Sequence, residues 1–210
     1  GKVKIDYFNE KIDYYGNFYY ENLQSNINVE MTKKIAKVYL VSQPFKSLKF
    51  LKNFLHLPEI AEAWMYDNVK GDIKIEELYA EYDLINNHII ENSIQGKAQI
   101  KDAKIRFHKD VDAVNTKSLD IFFKDNRLHF NLMEPMFKDK KLDGSFVLIN
   151  NLTSEKNGQV DVFLKTNSKL DKDILDILKA YNITLPIIQK NGNTQASLLM
   201  KFPYDTTKNM

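Results

Sequence analysis

Leu119-Asp120-Ile121-Phe122-Phe123-Lys124-Asp125-Asn126-Arg127-Leu128-His129-Phe130-Asn131-Leu132 decides the fold. Apolar side chains fall on alternate residues at Leu119, Ile121 and Phe123, and again at Leu128, Phe130 and Leu132. Successive side chains of a strand point to opposite faces, so each run has one oily side and one wetter side. Asp125-Asn126 between them predicts a hairpin turn. The rhythm continues at Phe146 and Leu148, then at Val162 and Leu164. A long succession of such strands makes an extended sheet with one face to cover, and what covers it is the functional question.

The rest of the chain extends this pattern. Residues 1–42 read as a meander, with Gly16-Asn17 as a hairpin turn before Phe18-Tyr19-Tyr20 and a softer region at Asn26 to Asn28. Phe45, Leu48, Leu51 and Leu55 then recur at helical spacing. Pro58 opens a second helix whose buried side is Ile60, Ala61, Trp64 and Met65. Strands resume at Ile73 and Ile75, with a turn at Glu76-Glu77 before Tyr79 and Tyr82. They continue through Ile94, Gly96, Ala98 and Ile100, break at Lys101-Asp102, and return at Ala103, Ile105 and Phe107. Asp143-Gly144 and Lys156-Asn157-Gly158 are further turn or bulge signals. A last helix reads Ser168 through Tyr181, with Asp171 or Ser168 as N-cap, Ile174, Leu175, Leu178 and Tyr181 as its apolar stripe, and Asn182 closing it. The final strand is Ala196, Leu198, Met200 and Phe202.

The expected class is α+β, predominantly β: a long curved antiparallel-type sheet forming a groove, with helices near 45–66 and 170–181. All 210 residues read as a single β-rich segment of a larger protein, in which 1–44 is an N-terminal meander, 45–66 a helical pair and 71–204 the sheet. Gly1 leads straight into strand pattern, as in a processed or excised fragment.

Composition narrows the function. Thirty Lys and Arg against 28 Asp and Glu leave a net charge of +2, too balanced for a nucleic-acid surface. No apolar run approaches the roughly 20 residues that span a bilayer. The absence of cysteine excludes disulfides, thiolate catalysis and Cys-based zinc sites. His56, His88, His108 and His129 are isolated, without metal-ligand spacing. Asp110-x-Asp112 lacks the rest of a calcium loop, and Asp171-x-Asp173 sits where a helix N-terminus attracts acids. Lys46, Lys49 and Lys52 fall three apart, as on a solvated helix face, and Lys138 to Lys141 reads as an exposed loop. With no phosphate loop or nucleophile elbow either, the chain is not expected to be an enzyme, and no cofactor or metal is expected.

The order of elements resembles the central region of the YhdP branch of the AsmA-like family, envelope proteins related to TamB. The resemblance lies in Leu51 to Pro58, the helix bearing Trp64, the strand pair from Gly71 to Leu84, and Gln95 to Ala103. It continues through Leu119 to Leu152 with Gly144, the helix at 170–181, and the last strand with Gly192 and Phe202-Pro203. The chain departs from it at Phe107 to Asp110, where the family carries a turn of Tyr-Pro-Gly-Trp-Pro type. The resemblance implies a bridge-like lipid carrier, a periplasmic part of a protein anchored in the inner membrane and working between inner and outer membranes. Its partner would be phospholipid, and its candidate groove residues Leu119, Ile121, Phe123, Leu128, Phe130, Leu132, Phe146, Leu148, Val162 and Leu164. Burying an acyl chain gains about 0.8 kcal/mol per methylene, so such a groove needs continuous apolar lining more than directional groups. The alternative is a cell-envelope interaction or assembly module with an open sheet edge and no lipid cargo.

Overall fold

A computed structural model describes residues 1–49, 52, 59–152, 157–187 and 189–204. It is mostly strand, 59% of residues, in one large open antiparallel sheet. The strands are β1 (Lys2–Asp6), β2 (Lys11–Tyr20), β3 (Leu23–Met31), β4 (Ile35–Ser42), β5 (Val69–Asp83), β6 (His88–Ile89) and β7 (Gln95–Ile105). They continue as β8 (Val114–Lys124), β9 (Arg127–Met133), β10 (Met136–Phe137), β11 (Lys140–Lys141), β12 (Phe146–Asn150), β13 (Gly158–Ser168) and β14 (Thr194–Tyr204). The main path runs β1-β2-β3-β4-β5-β7-β8-β9-β12-β13-β14, and short strands β6, β10 and β11 hang from it. Among the described residues β1 and β14 each have one neighbour, so both edges of the sheet are free.

Local chemistry sets the turns. Asp125 and Asn126 both take positive φ, 50° and 58°, and join Lys124 to its partner Arg127 as the sequence predicts. This handedness matches strand twist, which is why such turns favour Asp, Asn and Gly. Gly16-Asn17 is not a turn: both residues lie inside β2, paired with Ile27 and Asn26. The turn after β2 is Glu21-Asn22, with Glu21 at φ 50°. Asn26 to Asn28 likewise belong to β3. Gly16 instead leaves room for the Tyr14 side chain, whose hydroxyl lies 2.4 Å from where a Cβ would stand.

Glu76-Glu77 is not a turn either. It lies within the 15-residue β5, where the register with β7 slips by one between Ile75 and Glu77. The extra residue is a β-bulge, and it shifts the apolar phase from Ile73 and Ile75 to Leu78, Ala80 and Tyr82. A second slip, between Lys70 and Asp72, lies opposite the expected break at Lys101-Asp102, where Asp102 has φ 49°.

The helical expectations are partly met. Phe45 is on extended backbone, exchanging both amide hydrogen bonds with Ile73 across an isolated bridge, so no helix begins there. Leu51, Leu55, His56 and Pro58 lie outside the described residues. A short helix, α1 (Glu59–Glu62), runs into a wider π-type turn at Ala63–Asp67 that carries Trp64. Helix α2 (Lys172–Ala180) is capped by Asp171, whose side chain accepts from the Asp173 amide at 3.1 Å. It buries Ile174 and Ile177, and Asn182 follows at φ 59°.

Candidate functional site

Directly paired residues of neighbouring strands share a face, so the register gives each face its residues. One face is apolar across the sheet. A single row runs Gly16, Ile27, Leu40, Leu78, Gly96, Phe123, Leu128, Ile149, Val160, Phe202. A neighbouring row runs Ala98, Ile121, Phe130, Val147, Val162, Met200. Leu119 and Leu132 pair on this face, as do Leu164 and Leu198.

Leu119, Ile121, Phe123, Leu128, Phe130, Leu132, Val162 and Leu164 are therefore together on one face. Phe146 and Leu148 are not. Leu148 pairs with His129 and Asp161, and Phe146 with Asn131 and Phe163, all on the opposite face. In β12 it is Val147 and Ile149 that join the apolar rows.

The apolar face divides into two zones. From β5 to β14 the chain itself covers it. Phe45, Trp64, Tyr66, Val111, Phe137, Leu142, Leu152, Ile174 and Ile177 form one buried cluster with Ile100, Leu119, Phe130, Val160 and Val162. Leu119, Phe130 and Val162 are core residues in this arrangement.

Over β1 and β2 the face is open, whereas on β3 and β4 Leu23, Ala36 and Leu40 of the same face are buried. Val3 aligns with Tyr14, Val29, Val38 and Ala80, and Ile5 aligns with Ile12, Met31, Ala36 and Tyr82. Val3 is 63% and Ile5 52% exposed, and Ile12 and Phe18 are exposed beside them. Sequence reasoning placed none of these on its candidate surface, although the alternation Val3, Ile5 and Ile12, Tyr14 carries the signal.

The polar groups the sequence singled out have structural partners. Lys140 is only 5% exposed and reaches Asp139 and Asp171, both at 2.8 Å, and Asp173 at 3.5 Å. Burial alone would pull its ammonium down, but the bonds to Asp139 and Asp171 outweigh this and hold it above the ordinary lysine value. The Lys140 ammonium correspondingly lowers Asp171, mainly through their hydrogen bond. Asp171-x-Asp173 thus clamps a buried lysine, and Lys138 bridges Asp112 to Asp173. His108 Nδ1 accepts from the Asp110 amide at 3.2 Å, and its ring packs on Tyr181, centroids 5.0 Å apart. His88 and His129 are exposed strand residues. Lys46, Lys49 and Lys52 pair with Asp72, Asp67 and Glu62. Among the described residues no group of acids and histidines is placed to hold a metal, and no helix is long and apolar enough to cross a membrane.

What this arrangement offers is a wide sheet with one apolar face, capped along most of its width and bare at one end. Comparison with curated proteins and with solved structures gives no match. Comparison with protein families matches YhdP protein over residues 55–210, a stretch that takes in α1, the Trp64 turn and every strand from β5 onward. With most of its length covered by that match, the chain belongs to the YhdP family.

Proposed function

We propose that the chain is a segment of a bridge-like envelope lipid-transfer protein, carrying phospholipid acyl chains along an apolar β-groove between inner and outer membranes. In this reading it lies in the periplasm, and its membrane anchor belongs to other parts of the protein. Family membership supports the reading. The observation that carries it is the bare apolar zone over β1 and β2, continuous by register through β3 and β4 with the rows beneath the core. Exposed contiguous apolar patches on soluble domains mark binding surfaces, and an acyl chain needs no directional partner there. Of the candidate residues, Leu119, Ile121, Phe123, Leu128, Phe130, Leu132, Val162 and Leu164 continue the same face, and an acyl chain entering from the open zone would meet them only if the covering segments parted.

A second reading has its own support. The face over β5 to β14 is a filled core, and among the described residues β14 is an 11-residue edge with one neighbour. An assembly module that pairs through that edge would look the same there.

Native mass spectrometry with lipid extraction separates the two. Phospholipid that copurifies with residues 1–210 and is lost in a folded Ile5→Lys/Ile12→Glu variant supports the groove. A lipid-free protein that self-associates or captures partners through β14 supports the module and removes the groove reading.

A further inference from the structure

The segments that cover the apolar face are not fastened to it alike. The Trp64 turn runs into β5, and the Asn68 carbonyl at its end accepts from the Arg106 amide at 2.8 Å. Phe45 is bridged to Ile73 through both amides, and β10 pairs with β8. Helix α2 differs. Among the described residues, the backbone hydrogen bonds of 171–183 all close within that segment. Side chains alone fasten it to the rest. At one end Lys140 reaches Asp171 and Asp173, and Lys138 bridges Asp173 to Asp112. At the other the Tyr181 hydroxyl donates to the Phe107 carbonyl at 2.9 Å, and its ring lies 6.2 Å from that of Phe202. Of the nine helical residues between, Ile174 and Ile177 are buried. Residues 169–171, 181–187 and 189–193 carry no helix or strand, and Asn182 and Gly192 sit at φ 59° and 80°.

We propose that α2 is a hinged lid on the apolar face, latched at its two ends by side chains and opening while the sheet beneath stays folded. Segments with few buried apolar contacts open at lower free energy than core strands. A helix this short is not stable alone in water, so α2 owes its order to the face it covers. The latch also separates without stranding a buried charge. Lys140 keeps Asp139, its neighbour in sequence, as a partner at 2.8 Å when Asp171 and Asp173 leave. That matters because a buried ammonium with no partner is strongly destabilising. Lys138, Asp112 and Asp173 are partly exposed and return to water at little cost. Ile174 and Ile177 belong to the same buried cluster as Val160 and Val162. As the gate through which an acyl chain reaches that cluster, the lid rests on the groove reading. An acyl chain taking the place of two isoleucines exchanges one apolar contact for another, which offsets the opening.

Hydrogen exchange of residues 1–210, read by mass spectrometry, tests the lid. In the parent protein the amides of 172–180 should exchange through an opening that leaves β8 protected. Lys138→Gln/Tyr181→Phe loosens both ends without altering any residue of the helix. It should speed exchange in α2 about tenfold and leave β8 unchanged. A short-chain phosphatidylcholine, kept below its micellar concentration, is then titrated into both proteins. The variant should bind it about tenfold more tightly, since apparent affinity scales with the open fraction. Exchange of α2 only together with β8, or equal α2 rates in parent and variant, overturns the lid. If the variant does not fold, the order in the parent, α2 before β8 or both at once, decides. Faster α2 exchange with equal affinity overturns the gate and leaves the groove reading intact, since lipid then meets the open zone alone. Faster exchange with no binding by either protein removes the groove reading and keeps the lid.

Discussion

The Trp64 indole lies against the Phe130 ring, centroids 6.4 Å apart and planes 52° from parallel. Phe130 comes from the middle of the apolar face, between Ile121 and Val147, while Trp64 comes from the turn after α1, outside the sheet. This contact helps to close the sheet over its C-terminal strands. Both rings are buried, and such tilted aromatic pairs add to simple area burial.

Trp64→Ala should therefore cost about 3–5 kcal/mol, the range for truncating a buried aromatic side chain. Trp64 is the chain's one tryptophan, so unfolding is followed by circular dichroism in urea. Phe130→Asp should fail to fold, since it buries a carboxylate against the indole. A wild-type midpoint for Trp64→Ala would mean that the turn does not cap the sheet.

Asp171 both caps α2 and pairs with Lys140 at 2.8 Å, and asparagine separates the two roles. Asp171→Asn keeps the cap and loses the charge. Its side chain is 36% exposed, so after solvent screening the loss at neutral pH should be about 1 kcal/mol. The Asp171 carboxyl is depressed below its ordinary 3.8 by Lys140. Its contribution is present above that value and fades as pH falls through the depressed one. Melting curves for the two proteins should differ at pH 7 and converge below the ordinary aspartate range. A gap that persists in acid would assign the effect to the cap instead.

How much of this was readable in the residues depends on the element. Asp125-Asn126 was legible because a two-residue left-handed turn admits few residue types, and they stand between clean alternations. Gly16 misled because glycine signals either a turn or a lack of space, and only the Tyr14 ring decides between them. Glu76 misled because a bulge and a turn both shift the apolar phase by one. Phe146-Val147-Leu148-Ile149 is apolar at every position, so alternation cannot choose its inner pair. The partner does, as Val147 faces Phe130. The open zone over β1 and β2 was hidden for a different reason. Alternation defines a face, and which other segments fold across it is a tertiary fact.

Gly158 faces Tyr204 across the β13–β14 ladder, and a Cβ there would lie 2.1 Å from the tyrosine ring. The Tyr204 hydroxyl donates to the Asn150 carbonyl at 2.8 Å, which fixes the ring over the glycine. Gly158→Ala should cost about 1–3 kcal/mol, as overpacking does, by forcing the ring off that bond. Tyr204→Ala should make the same substitution at 158 nearly harmless. Independent, additive losses in a double-mutant cycle would show that the ring and the glycine are uncoupled.

Ile5 and Ile12 are direct cross-strand partners on the open zone, where burial gives them little to lose. Replacing both with opposite charges, Ile5→Lys and Ile12→Glu, exchanges an exposed apolar pair for a cross-strand ion pair. Stability should stay within about 0.5 kcal/mol of the parent, as for substitutions away from a core. Binding of a hydrophobic dye should fall, because these side chains are a large part of the bare apolar surface. Urea melts and dye titration on the same sample check both. A loss above about 2 kcal/mol would show that this face is packed against something in the free chain, and a lipid-facing zone would then have to lie elsewhere on the sheet.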